Sequence, residues 1–133
     1  AGGYHNVSLK TAPYPGFPTD LHPQTVALFS LGGRAVGEGS LQECIWSARF
    51  RYTEGLLQMG AEISVQGDTV SVLPSHLEGK SVSAPDLRGG AALLLAALAA
   101  SGESEIAHAE FIARGYEHLE EKLTALGACV KVF

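Results

Sequence analysis

Cysteine is almost absent from this chain of 133 residues: Cys44 and Cys129 lie far apart, and neither belongs to a CxxC pair. Five scattered histidines add no metal-ligand spacing, so a metal centre is not indicated. Both thiols read as small core residues of a protein kept in a reducing compartment. Basic residues are also few. Nine Lys and Arg against fourteen Asp and Glu give a net charge of -5 and a pI near 5.4, which argues against a nucleic-acid surface or a polybasic membrane contact. Long apolar runs are missing too; Ala91 to Ala100 is the longest and reads as a buried helix rather than a membrane span. Residues 1–5 lack the basic-then-apolar profile of a signal peptide. No GxGxxG follows a strand and no GxxxxGK[ST] occurs, so neither loop that cradles nucleotide phosphates is present. These absences predict a cytoplasmic protein with no cofactor, no metal, no nucleic-acid partner and no membrane partner.

What is present begins with Pro13-Tyr14-Pro15-Gly16-Phe17-Pro18-Thr19-Asp20, a stiff loop that delivers one carboxylate to the start of a helical pattern. Asp20 could cap that helix, could serve a functional site, or could do both. Around it, strands and helices alternate. Strands are expected over Val7 to Thr11 and Ser40 to Ile45, and helices over Leu21 to Leu31 and Phe50 to Met59. Pro23 is tolerable only in a first turn, and Gly60 is placed to end the second helix. A hairpin over Glu62–Gln66 and Thr69–Val72 follows, turning at Gly67-Asp68.

The second half replays this order. It has a strand over Lys80 to Ala84, a helix over Leu87 to Ala100, a strand over Ser104 to Ala109, a helix over Gly115 to Leu126, and a strand over Cys129 to Phe133. Pro18-Thr19-Asp20-Leu21 matches Ala84-Pro85-Asp86-Leu87 at an offset of 66 residues, and Met59-Gly60-Ala61 matches Leu126-Gly127-Ala128 at 67. Arg49 and Arg114 each precede the second helix of their half. Such periodicity signals repeated supersecondary units, here residues 5–73 and 74–133 of a single α/β domain. The helix from Leu87, apolar all round beyond Arg88, must be buried on every side, which suits helices packed inside and sheets outside.

Repeat-related positions fall at equivalent ends of a pseudo-symmetric fold. Asp20 and Asp86 would sit where a strand hands over to a helix, and Arg49 and Arg114 where the second strand does. An unpaired Arg88 inside an apolar helix would be costly. It could pair with Asp86 or Glu43 as structural glue. Alternatively, all three arginines could converge with the two acids as an anion site with acid/base capacity.

The segment Thr11 to Gln24, with its Pro-Gly-Phe-Pro-Thr-Asp signature, resembles the active-site loop of the UDP-N-acetylglucosamine 1-carboxyvinyltransferase (UDP-N-acetylglucosamine enolpyruvyl transferase) family. The likeness continues through Glu43 to Phe50, Gln58 to Ile63, Asp86-Leu87-Arg88 and Ala113 to Glu117. It covers nearly the whole chain and corresponds to the C-terminal part of the family. It implies an inside-out α/β barrel of the enolpyruvyl transferase type, of which this chain would supply two βαβαβ repeats of an incomplete three-repeat barrel. It also implies an enzyme that transfers enolpyruvyl from phosphoenolpyruvate to the 3-hydroxyl of UDP-N-acetylglucosamine in peptidoglycan synthesis. By position, Asp20 would bind the sugar hydroxyl and act as its base. Ile45 would contact the UDP-sugar, Asp86 would assist proton transfer, and Arg49, Arg88 and Arg114 would line the phosphoenolpyruvate side. Two repeats cannot close the barrel, so the chain alone would be inactive and would need the rest of the enzyme or self-association. Ser47-Ala48 and Ala113 replace the polar residues that the family places before two of the arginines. The alternatives are a diverged, non-catalytic module binding an anion or a partner, or another enolpyruvyl transferase such as the shikimate-pathway enzyme.

Overall fold

Parallel strands need a crossover, and this chain makes two of them with helices. A computed structural model describes residues 3–47 and 49–132; Ala48 and the expected strand end at Phe133 lie outside the described residues. The short strands β1 (Tyr4–His5) and β2 (Ser8–Lys10) lead into the Pro-rich loop, a 3-10 turn (Thr19–Leu21) and helix α1 (His22–Phe29), with Pro23 in its first turn. β3 (Ala35–Val36) returns parallel to β1, and β4 (Gly39–Gln42) parallel to β2. Helix α2 (Tyr52–Gln58) precedes the hairpin β5 (Glu62–Gln66) and β6 (Thr69–Leu73), giving a four-stranded sheet of order β2-β4-β6-β5. The second crossover joins β7 (Ser81–Ser83) to β8 (Glu105–Ala107) in parallel through helix α3 (Leu87–Ala99), and two short helices follow, α4 (Glu110–Ala113) and α5 (Leu119–Ala125).

The helices meet at the centre and the sheets lie outside them. α3 packs chiefly on α1 and also touches α2 and α4, while α1 backs onto β4 and β6. Val26, Leu41, Tyr52, Leu56, Met59, Val70, Leu93 and Ala96 are fully buried or nearly so. Close approach depends on small residues. A Cβ on Gly90 would come within 2.7 Å of Ile112 and 3.1 Å of the Ala84 side chain. α2 and α5 end alike: Gly60 and Gly127 both take φ of +102°, and the amides of Ala61 and Ala128 reach back to the carbonyls of Leu56 and Leu123.

Four expectations are corrected. α3 is not buried on every side: Leu95 and Leu98 are 39% and 42% exposed, because neighbouring helices cover only one flank. The helix expected from Gly115 to Leu126 is confined to Leu119–Ala125. Gly115 presses on Leu87, Tyr116 is held by Arg88 and Gln24, and His118 takes a left-handed conformation that breaks the run. Residues 129–132 form no strand. Their first-half counterpart β5 is held by β6, and no described segment supplies an equivalent partner. Both cysteines are exposed rather than in the core. No helix among the described residues is long and apolar enough to cross a membrane.

The difference between the two flanks of α3 is measurable. Leu93→Ala, at a site with no exposure, should cost about 2–5 kcal/mol in denaturant unfolding. Leu95→Ala, on the open flank, should cost well under that, by about 1 kcal/mol or less.

Candidate functional site

The base of the Pro-rich loop is closed by main-chain bonds. Ala12 N–H donates to the Phe17 carbonyl (3.0 Å) and Gly16 N–H to that of Pro13 (2.8 Å). Pro18, extended at φ -74° and ψ 135°, then turns the chain into the 3-10 turn that carries Asp20. Asp20 caps neither that turn nor α1, since no side-chain cap bond forms at either, so its expected capping duty is not observed. Instead its carboxylate faces two guanidiniums. Arg49 Nη2 lies 3.4 Å from Oδ1, and Arg88 Nη2 lies 3.5 Å from Oδ2. Arg88 thus pairs with Asp20 and not with Asp86 or Glu43.

Two further contacts set the arginines. Arg88 Nη1 donates to the Tyr116 hydroxyl at 3.3 Å, and the Gln24 amide donates to the same oxygen at 3.1 Å, which ties α1, α3 and the turn after α4 together. The Arg49 guanidinium sits 5.3 Å over the Trp46 ring, a cation–π arrangement. Asp20 is 57% exposed on its side chain, whereas Arg49 is 11% exposed. Ion pairs this open and this long contribute only about 0–1 kcal/mol to stability. Two cations and one acid held so loosely are therefore poor glue, and they remain able to exchange partners with an anion.

The other expected site residues are placed differently. Asp86 is the N-cap of α3: its Oδ1 accepts from the Gly89 amide at 2.6 Å. Ile45 is exposed, and its amide is committed to Glu43 at 2.9 Å. Arg114 caps the end of α4 with its guanidinium 5.1 Å over Phe111. No ion pair joins Arg114 to Asp20, Arg49 or Arg88 among the described residues. The structure therefore brings together Asp20, Arg49 and Arg88, with Asp86 two residues before Arg88, and leaves Arg114 outside the hydrogen-bonded cluster. At the start of α5, ligand atoms of His118, Glu120 and Glu121 lie within 4.8 Å of one another, a grouping not expected from spacing. They sit at a helix start, where acidic side chains are favoured without any ion.

Behind Asp20 lies a buried cluster around Glu43 that residue spacing alone does not reveal. The Glu43 side chain has no exposure, yet it accepts five hydrogen bonds. Thr19 Oγ1 (2.7 Å) and His22 Nδ1 (2.8 Å) donate to Oε1. Thr11 Oγ1 (2.7 Å) and the amides of Ile45 (2.9 Å) and Trp46 (3.1 Å) donate to Oε2. Burial alone would raise the carboxyl, but the bonds from Thr19, Thr11, the Ile45 amide and His22 outweigh it and hold the group at about 2. Burial lowers the His22 pKa, a shift that the bond with Glu43 and its charge only partly oppose. The ring is thus neutral, with Nδ1–H donating to Glu43 and Nε2 accepting the Tyr52 hydroxyl at 2.7 Å. Burial pushes the Tyr52 phenol well up, keeping it a donor.

The fold is that of a class, the enolpyruvyl transferases. The chain superposes on the enolpyruvyl transferase NikO from Streptomyces tendae with a TM-score of 0.85 at 32% identity, over 98% of this chain and 30% of that one. EPSP synthase from Acinetobacter baumannii shares the fold, with a TM-score of 0.68 at 20% identity over the whole chain. The chain belongs to the EPSP synthase (3-phosphoshikimate 1-carboxyvinyltransferase) family, whose model matches residues 3–123. Within it, the chain is 45% identical over 125 residues to a UDP-N-acetylglucosamine 1-carboxyvinyltransferase of Halothermothrix orenii. It is 48% identical over 127 residues to UDP-N-acetylglucosamine 1-carboxyvinyltransferase 3 of Symbiobacterium thermophilum. The alignments take in 94% and 95% of this chain but only 29% of each relative.

The buried cluster fixes a pH response. His22 is held below its ordinary 6.5 in the fold, so the unfolded chain takes up that proton first, and stability falls as the pH drops below about 6.5. Glu43 follows the same sign lower down, its contribution being complete above about 4.5 and lost as the pH falls toward 2. Thermal melting between pH 7.5 and 5 should show the first loss, and His22→Asn should flatten it.

Proposed function

We propose that this chain is part of an enzyme that transfers the enolpyruvyl group of phosphoenolpyruvate to the 3-hydroxyl of UDP-N-acetylglucosamine, releasing phosphate toward peptidoglycan synthesis. The observation that carries the reading is the half-exposed Asp20 carboxylate held loosely between Arg49 and Arg88. Such an acid can accept a hydroxyl proton, and the guanidiniums can offset the charge of a phosphate-bearing substrate. A phosphate competes with Asp20 for the same N–H groups and so leaves the carboxylate to take the proton. Asp86 contributes at the helix start; its Oδ2 has no hydrogen-bond partner among the described residues and is the oxygen free to assist proton transfer. Ile45, exposed on the loop that leads to Arg49, contacts the sugar nucleotide. Arg114 joins the phosphoenolpyruvate side only by leaving Phe111.

In this reading the two units, residues 5–73 and 74–133, form two of the three repeats of a barrel. The open flank of α3 at Leu95 and Leu98 is covered by the rest of the enzyme or by self-association. The complete enzyme works in the cytoplasm without a cofactor, and the isolated chain is inactive. A second enolpyruvyl transferase reading, with a shikimate acceptor, is less well supported: the solved EPSP synthases are 20–23% identical, against 44–48% for the sugar-nucleotide enzymes.

Calorimetric titration of the intact gene product with UDP-N-acetylglucosamine and then phosphoenolpyruvate tests this. The expected result is sugar binding followed by turnover, with Asp20→Asn weakening the sugar and lowering kcat by about 10²–10⁴-fold, the usual contribution of a positioned base. Sugar binding without turnover would favour a non-catalytic module. Binding of neither ligand would exclude the enzyme reading.

A further inference from the structure

The segment carrying Asp20 has no cap of its own. Neither the 3-10 turn nor α1 receives a side-chain bond at its start, and the Asp20 contacts to arginine are long. Something else must fix the carboxylate, and the bonds to Glu43 converge on that task. Thr19, adjacent to Asp20, and His22, two residues beyond it, both donate to Oε1. Thr11, where the Pro-rich loop closes on Phe17, donates to Oε2. The amides of Ile45 and Trp46, which start the path to Arg49, donate to the same oxygen. One carboxylate thus ties the loop, the acid-bearing turn and the arginine-bearing segment to a common point.

We propose that Glu43 is the positioning residue of this site, setting Asp20 through Thr19 and setting Arg49 through the amides of Ile45 and Trp46. The inference rests on the reading of Asp20 given above. A buried charge is a poor device for stability alone, because well-packed apolar residues usually do as well or better. Its value here lies in direction. Five donors converge on two oxygens, and a carboxylate accepts all of them, whereas an amide at the same place would turn an N–H toward its neighbours. Supporting hydrogen bonds of this kind hold a working group near its productive geometry.

Glu43→Gln risks unfolding, so the decisive variants are at Thr19, whose hydroxyl gives one bond and leaves the other four. In the full-length enzyme, Thr19→Val should lower kcat by about tenfold, less than the roughly hundredfold that a 1 Å misplacement can cost, and Thr19→Ser should restore it. The test that separates positioning from mere structure is a double-mutant cycle with Asp20→Asn, read on UDP-N-acetylglucosamine affinity by calorimetry. Thr19→Val should weaken the wild type by about fivefold and have no further effect once Asp20 is Asn. An equal loss in both backgrounds, or a Thr19→Val enzyme indistinguishable from wild type, would overturn the inference while leaving the function intact. A wild-type enzyme that fails to bind the sugar nucleotide would overturn the function itself.

Discussion

A carboxylate buried without exposure, met by five donors, is the constraint on which this structure turns. Desolvation opposes the Glu43 charge, and the fold can keep it only by aiming hydroxyls, amides and a neutral imidazole at it. Those donors come from four places: the end of β2, the turn before α1, the start of α1, and the segment after β4. Satisfying one charge therefore aligns four pieces of chain. Tyr52 extends the demand into α2 through His22, so the helix layer and the strand ends share one hydrogen-bonded register. Removing any one donor leaves part of a buried charge unsatisfied, at a cost set by how many of the other donors remain.

The opposite regime holds at Asp20, only one residue from Thr19. Its contacts run at 3.4 and 3.5 Å with more than half the side chain open to solvent, against 2.7–2.8 Å for the donors to Oε1 of Glu43. The same chemical group is locked in one place and exchangeable in the other, and burial makes the difference. α3 supplies the complementary half of the mouth. Its Gly89-Gly90 step lets Tyr52, Ala84 and Ile112 approach closely, and this close packing sets the first turn from which Arg88 reaches both Asp20 and Tyr116.

Much of this was legible in the residues. The register between the halves put Asp20 and Asp86 at helix starts, and the Asp-Leu-Arg step put Arg88 beside the second of them. The hairpin over β5 and β6 was plain from alternation, and the ends of α2 and α5 followed from their glycines. Glu43 was legible in principle. In β4, Gly39 and Leu41 point inward, and the same period of two carries Glu43 inward and Cys44 outward. Residue type masks that period, because an acid at a strand end is usually solvated and a cysteine usually buried. What no local pattern contains is the break at residues 115–118. It follows from Leu87, Arg88 and Gln24, which lie 28 to 92 residues away in sequence and override the helical period of Tyr116, Leu119 and Leu123.

The two repeat-related acids show how a duplicated framework yields unlike groups. Asp86 stands immediately before its helix, and the Gly89 amide takes Oδ1 at 2.6 Å, so half of that carboxylate is spent on the helix start. Asp20 occupies the matching place, but Pro18 and the 3-10 turn shift it past the capping position, and no amide reaches its side chain. The matching arginines diverge in step: Arg49 crosses Trp46 toward Asp20, while Arg114 settles over Phe111. In the first half, then, the neighbouring hydroxyl and imidazole donate to Glu43, and the Asp20 carboxylate is left to face the two arginines. The Pro-rich loop matters for this reason. Its rigidity brings Thr19 to Glu43, and in doing so it turns the next side chain, a charged one, outward between two cations.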